Sequence, residues 1–95
     1  MSGEAVQETL SRLVEKMAAE YTQSEVDIAR ALAAADGPLS VADLVEETGY
    51  TERTIKKRVG TLEEQLRGEP LLVRDEDDRP HLHPELAAAV RATEL

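Results

Sequence analysis

Arg53, Lys56, Lys57 and Arg58 crowd into the six residues RTIKKR, with no acid among them, in a chain of 95 residues and formal net charge −9. They are four of its eleven basic residues. Guanidinium and ammonium groups gathered in this way bind phosphate oxygens, and the same groups bond the O6 and N7 edge of guanine in a major groove. Concentrated positive charge on a negative protein marks a contact surface. Thr51, just upstream, can accept a hydrogen bond from the free amides that open a helix, and a helix N-terminus itself attracts a phosphate. The bland reading of the same run is a solvated helix face.

Other chemistry-bearing residues are sparse. Glu63 and Glu64 are adjacent carboxylates, but no second acid pair accompanies them, so they read as charge balance on their own helix rather than as a catalytic pair. His81 and His83 alternate along an extended segment, which would put both imidazoles on one face. Two imidazoles alone do not make a metal site, and a surface or packing role is the expectation for both. The chain has no cysteine, so it has no disulfide, thiol nucleophile or thiolate zinc site. With no nucleophile and base pair, glycine-rich phosphate loop or metal cluster visible, no catalysis, cofactor or metal is expected.

The elements that must position the basic run are legible from periodicity and punctuation. Val6, Leu10, Leu13, Val14 and Met17 fall three and four apart, one stripe of an amphipathic helix over residues 4–20. Thr22 with Glu25 is a capping-box pattern that opens a second helix through Val26, Ile28, Ala29, Leu32 and Ala33, stopped at Asp36, Gly37 and Pro38. Ser40 with Asp43 repeats the pattern and opens a short third helix through Val41, Leu44 and Val45, ending at Thr48 and Gly49. Thr51 caps a fourth helix to about Arg67. In it Ile55, Val59, Leu62 and Leu66 face a core, while Arg53, Lys57, Gly60, Glu64 and Arg67 lie on the opposite side, with Lys56 and Arg58 flanking. Gly60 inside that helix costs about 1 kcal/mol against alanine, so either the site tolerates it or a close approach compensates. Leu71 to Val73 and Pro80 to His83 read as two strands around the polar turn 75–78. Pro84 suits the first turn of a last helix carrying Leu86, Ala87, Val90 and Leu95.

A short helix, a tight turn at Gly49, a second helix with a basic outer face and then a hairpin make a mainly α fold with a small β-hairpin wing, the winged helix-turn-helix. Gly49 supplies the positive φ the turn needs, Tyr50 packs inward behind it, and the second helix enters a groove by its N-terminal half while the first braces it. One domain spans 1–95: an N-terminal helix over 1–21, the winged core over 22–83 and a C-terminal helix over 84–95.

GYTERTIKKRVGTLEEQL followed by PLLVRD and later HP resembles the DNA-binding domain of LysR-type transcription regulators over about residues 39–90. The resemblance implies that Thr51, Glu52, Thr54, Lys56 and Lys57 face DNA, and that Arg74 is the arginine closing the first wing strand. The chain departs from the family at Glu52 and Arg53, where small polar or proline residues are usual, and by one extra residue near Gly68, so base preference does not transfer. The family carries a ligand-sensing domain after the wing, whereas this chain ends at Leu95, and sensing is expected from a partner.

Twenty acids against eleven basic residues would ordinarily repel a polyanion. Two readings compete. One is an acidic solvated surface on a mesophilic protein. The other is the composition of haloarchaeal proteins, which abundant Asp, Glu and Ala with scarce Lys resembles. In molar salt, fields are screened over about 3 Å and net charge says little about DNA. The acidic tip DEDDR argues against a wing lying on phosphates. It leaves two readings for the whole: a DNA-binding regulator or chromosome-associated factor contacting double-stranded DNA through Thr51, Glu52, Arg53, Thr54, Lys56, Lys57, Arg58 and Arg74, or a protein-protein interaction adaptor on the same fold. A homodimer through the N-terminal or C-terminal helix would let two heads read half-sites about one DNA turn apart. No membrane span or signal-peptide pattern is present, so a cytoplasmic protein is the expectation.

Overall fold

Two capping boxes and one left-handed glycine set the helix boundaries. The structure is a computed structural model; it describes residues 2–35, 37–65 and 72–93, with side chains from residue 10 onward. Helix α1 runs Ser2–Glu20 and α2 runs Gln23–Ala34. Thr22 caps α2: its hydroxyl accepts from the Glu25 amide while the Glu25 carboxylate accepts from the Thr22 amide. Ser40 and Asp43 repeat this reciprocal pair at α3, Val41–Thr48. These pairs satisfy amides that have no intrahelical partner, which is why the helices begin where they do.

Gly49 ends α3 with φ of 80°, and its amide reaches back to the Val45 carbonyl at 2.9 Å. A side chain would be strained there, so glycine is what allows the chain to reverse in one step. Helix α4 follows as Glu52–Gln65, with Leu66 and Arg67 of the expected helix, and Gly68 after them, lying outside the described residues. Strands β1, Leu72–Arg74, and β2, Pro80–Leu82, pair antiparallel in the register Leu72 with Leu82, Val73 with His81 and Arg74 with Pro80. The Leu39 amide donates to the Pro80 carbonyl at 3.2 Å, so the segment before α3 lies along the outer edge of β2. Helix α5 closes the described chain as Pro84–Ala92.

This is the mainly α fold with a hairpin wing, in helix-turn-helix order. Its strand ends differ from the sequence expectation by one residue each. The first strand extends to Arg74, while Leu71 lies outside the described residues, as do Asp36 and Leu95. His83 leaves the second strand because Pro84 after it has no amide to pair and holds a helical φ. It becomes the N-cap of α5, and its Nδ1 accepts from the Glu85 amide at 3.2 Å.

The core centres on α2, which packs against α3, α4, β2 and α5. Ile28, Ala29 and Leu32 of α2 are buried against Leu44 of α3, Ile55 and Leu62 of α4, Leu82 of β2 and Leu86 of α5. Helix α1 packs on α5, burying Leu10, Val14 and Met17, with Tyr21 just past its end. Leu10, Val14 and Met17 of the α1 stripe and Leu86, Ala87 and Val90 of α5 are thus buried inside one chain, with Leu13 partly so; the Val6 side chain lies outside the described ones. The Arg91 guanidinium donates to the Ala33 carbonyl, fastening α5 to the end of α2.

Candidate nucleic-acid interface

Helix α4 is a rigid rod with one apolar side, and its apolar side is fully used. Ile55, Val59 and Leu62 are buried, which turns Arg53, Lys56 and Lys57 outward, all exposed, with Arg58 partly so. The start of the rod is fixed by Thr51, whose hydroxyl accepts from the Thr54 amide at 3.2 Å and donates to the Thr54 hydroxyl at 3.0 Å. Thr54 therefore presents a hydroxyl already held by its neighbour, while Thr51 and Glu52 are exposed at the helix start.

The basic groups differ in their commitments. Lys56 pairs with Glu52 one turn back at 2.9 Å, both side chains being about two-thirds exposed, at 63% and 67%. An exposed pair of this kind is weak, so a phosphate can displace the glutamate. Among the described residues no ion pair involves Arg53, Lys57 or Arg58. Arg53 and Lys57 are exposed, and Arg58 lies partly buried on the flank of the helix.

Arg74 is committed elsewhere. Its Nε donates to the Glu63 carboxylate at 2.9 Å and its Nη1 to the Asp78 carbonyl at 3.2 Å, with the Asp78 carboxylate 3.7 Å away. It ties the wing to the flank of α4. Glu63 consequently serves the wing rather than balancing charge along its own helix.

The wing tip is a tight, internally bonded turn. Oδ1 of Asp75 accepts from the amides of Asp77 and Arg79, and Oδ2 accepts from the Arg79 guanidinium at 2.8 Å. The Arg79 amide is the main cause that holds the Asp75 carboxyl below its usual range, working against burial and aided by the guanidinium. Asp78 closes the turn with φ of 63°, a left-handed conformation aspartate tolerates better than most residues. Glu76, Asp77 and Asp78 stay exposed, so the tip is acidic.

Two acids that position α4 escaped the sequence reading. Glu25, read only as a cap, is 1% exposed and is the charged residue buried in the core among the described residues. Its Oε1 takes the Thr22 amide and hydroxyl, each at 2.9 Å, while Oε2 takes the Thr61 hydroxyl and the Gln65 amide nitrogen of α4, each at 2.9 Å. Burial pushes its pKa up, but these bonds outweigh it and hold the carboxyl below the usual range. A signal existed: Glu25 shares the register of Ala29 and Leu32, four and seven residues on, which is the core side of α2. Asp27 accepts the Tyr50 hydroxyl at 2.5 Å, a bond that raises the phenol pKa and fastens the turn before α4 to α2. Tyr50 does pack inward, as expected.

Among the described residues no group of three or more His, Asp or Glu is arranged to hold a metal ion. His81 lines a cleft of about 260 Å³ with Leu32, Ala35, Leu82 and Arg91, between α2, β2 and α5, and no residue of α4 lines it. No helix among the described residues is long and apolar enough to cross a membrane. Compared with known protein families, with curated proteins and with solved structures, the chain matches none.

Proposed function

We propose that this domain binds double-stranded DNA by laying the N-terminal half of α4 in a major groove, as a transcription regulator or chromosome-associated factor. The observation that carries the reading is the exposed pair Arg53 and Lys57, flanked by the partly exposed Arg58, on a helix that starts just past a left-handed glycine turn and is braced by α3. Lys56 joins them once Glu52 lets go, and the exposed helix start behind Thr51 offers a further phosphate site. The resemblance of GYTERTIKKRVGTLEEQL and PLLVRD to LysR-type domains, read from the sequence alone, points to the same face. Arg74 departs from it: its guanidinium braces the wing on Glu63, so it acts on DNA only through the posture of the wing. Two copies would be needed for a footprint longer than one helix, and with Leu10, Val14 and Met17 of α1 and Leu86, Ala87 and Val90 of α5 buried, pairing would use the remaining surface of those helices.

The test is fluorescence-anisotropy binding to mixed-sequence duplex DNA across a salt series, for the natural chain and for the double variant Lys56→Glu, Lys57→Glu. The natural chain should bind with a log–log salt slope of about −0.9 per phosphate neutralised, and the variant should bind far more weakly. If neither binds at any salt, the DNA reading fails; if both bind alike, the helix assignment fails. A series carried into molar salt also covers the haloarchaeal reading of the composition.

The acidic, internally closed wing tip favours a second reading, a protein-binding adaptor whose basic helix meets an acidic partner. A pull-down that recovers a stoichiometric protein and no nucleic acid would establish it in place of the first.

A further inference from the structure

We infer that Glu25 is a positioning residue for α4: its carboxylate, buried at the first turn of α2, fixes the rotation and height of the recognition helix through Thr61 and Gln65. The inference rests on the DNA reading only for its functional consequence; the geometry stands apart from it.

Capping explains half of the residue. Oε1, bonded to Thr22, is what a capping box requires, and such a box works in the open, as Ser40 and Asp43 demonstrate at α3. Oε2 has no capping role. It reaches residues 36 and 40 positions away on a different helix, and the carboxylate is 1% exposed with no cation bonded to it among the described residues. An apolar side chain would fill this position without desolvating a charge. What it could not do is choose one placement of α4, because the contacts of Ile55, Val59 and Leu62 with the core are non-directional, whereas hydrogen bonds are directional. A contact surface on a helix needs its groups held within about 0.5 Å and 10–20°. Thr61 lies one to two turns along the same rod from the basic residues, so turning it turns them. The Tyr50 bond to Asp27 secures the start of α4 to the same turn of α2, and Glu25 supplies a second directional restraint from α2 farther along the rod.

The experiment uses Thr61→Val, which keeps shape and removes the donor, Thr61→Ser, which restores it, and Glu25→Gln, which cannot accept from both Thr61 and Gln65 while serving Thr22. Residual dipolar couplings of each folded variant give the orientation of α4 against α2. Thr61→Val and Glu25→Gln should reorient α4 by about 10° or more and weaken duplex DNA binding about tenfold, with Thr61→Ser restoring both. Ser40→Ala, a cap loss far from Glu25, should leave the orientation unchanged. If α4 keeps its orientation in Thr61→Val and Glu25→Gln, the inference is overturned whether or not DNA binds. If α4 reorients, Thr61→Ser restores it and the natural chain ignores DNA, the positioning role holds and only the DNA reading falls.

Discussion

Gly60 offers the cleanest test of the packing, because the structure isolates one energetic effect there. It sits in the middle of α4, partly exposed, and its φ is not in the left-handed region, which among the described glycines Gly49 alone occupies. A Cβ built at Gly60 meets no atom within 4 Å. Alanine would therefore gain no buried area and suffer no clash. What remains is helix propensity, about 0.8–1.0 kcal/mol in favour of alanine, arising largely from the freedom glycine restores to the unfolded chain. For a domain of this size that is a rise of about 4–8 °C in the thermal midpoint. Circular dichroism of Gly60→Ala on heating, with a urea titration to check that the slope is unchanged, measures it. A midpoint equal to or below that of the natural chain would refute the reasoning, since it would mean the glycine is held against something in the free protein. Gly60 lies beyond the N-terminal half of α4, so DNA affinity should not change; a loss of affinity alongside a gain in stability would extend the footprint and supply the close approach that the free chain lacks.

Acid should loosen the domain through Glu25. Its folded pKa lies below the unfolded value, so the stabilisation is complete above the ordinary carboxylate range and is lost as pH falls through the folded pKa. Urea unfolding from neutral to strongly acidic pH should show the natural chain losing more stability than Glu25→Gln, the two converging at the acid end; parallel curves would contradict the assigned cause. Ser40→Ala removes the reciprocal cap of α3 and should cost about 1 kcal/mol in the same urea titration, with no measurable loss pointing to a solvated helix start instead.

Local chemistry made most of the fold legible. Thr22 with Glu25 and Ser40 with Asp43 are specified by side chains three residues apart, Gly49 by the absence of a Cβ, and the core side of α4 by the spacing of Ile55, Val59 and Leu62. The strand ends were less so, because three-residue strands carry almost no period; Pro84 decided the end of the second. What could not be read were contacts made across the fold. Arg74 looks like a free cation until the hairpin folds back and brings Glu63 beside it. Glu25 looks like a cap until α4 lies across α2. The exposure of Arg53 and Lys57 was legible because a helix turns residues opposite its apolar stripe away from the core without help from the rest of the chain.

The charge layout bears on how a duplex would lie. The segment 52–58 holds four basic residues and one acid, a formal charge of +3, whereas the wing tip 75–79 holds four acids and one arginine, a formal charge of −3. Arg74 ties the strand before the tip to Glu63, on the part of α4 beyond the first patch. Phosphates drawn to the first patch are repelled by the second, so a duplex is favoured only in placements that keep its backbone off the hairpin. A basic tip would widen the contact and strengthen binding to any sequence; an acidic one removes that indiscriminate part and leaves the affinity to the few groups of α4. Salt then weakens attraction and repulsion together, and the net slope counts the phosphates α4 neutralises less those the tip disturbs. A shallow salt dependence is for that reason compatible with specific binding here, and a slope as steep as that of a broadly basic domain is not.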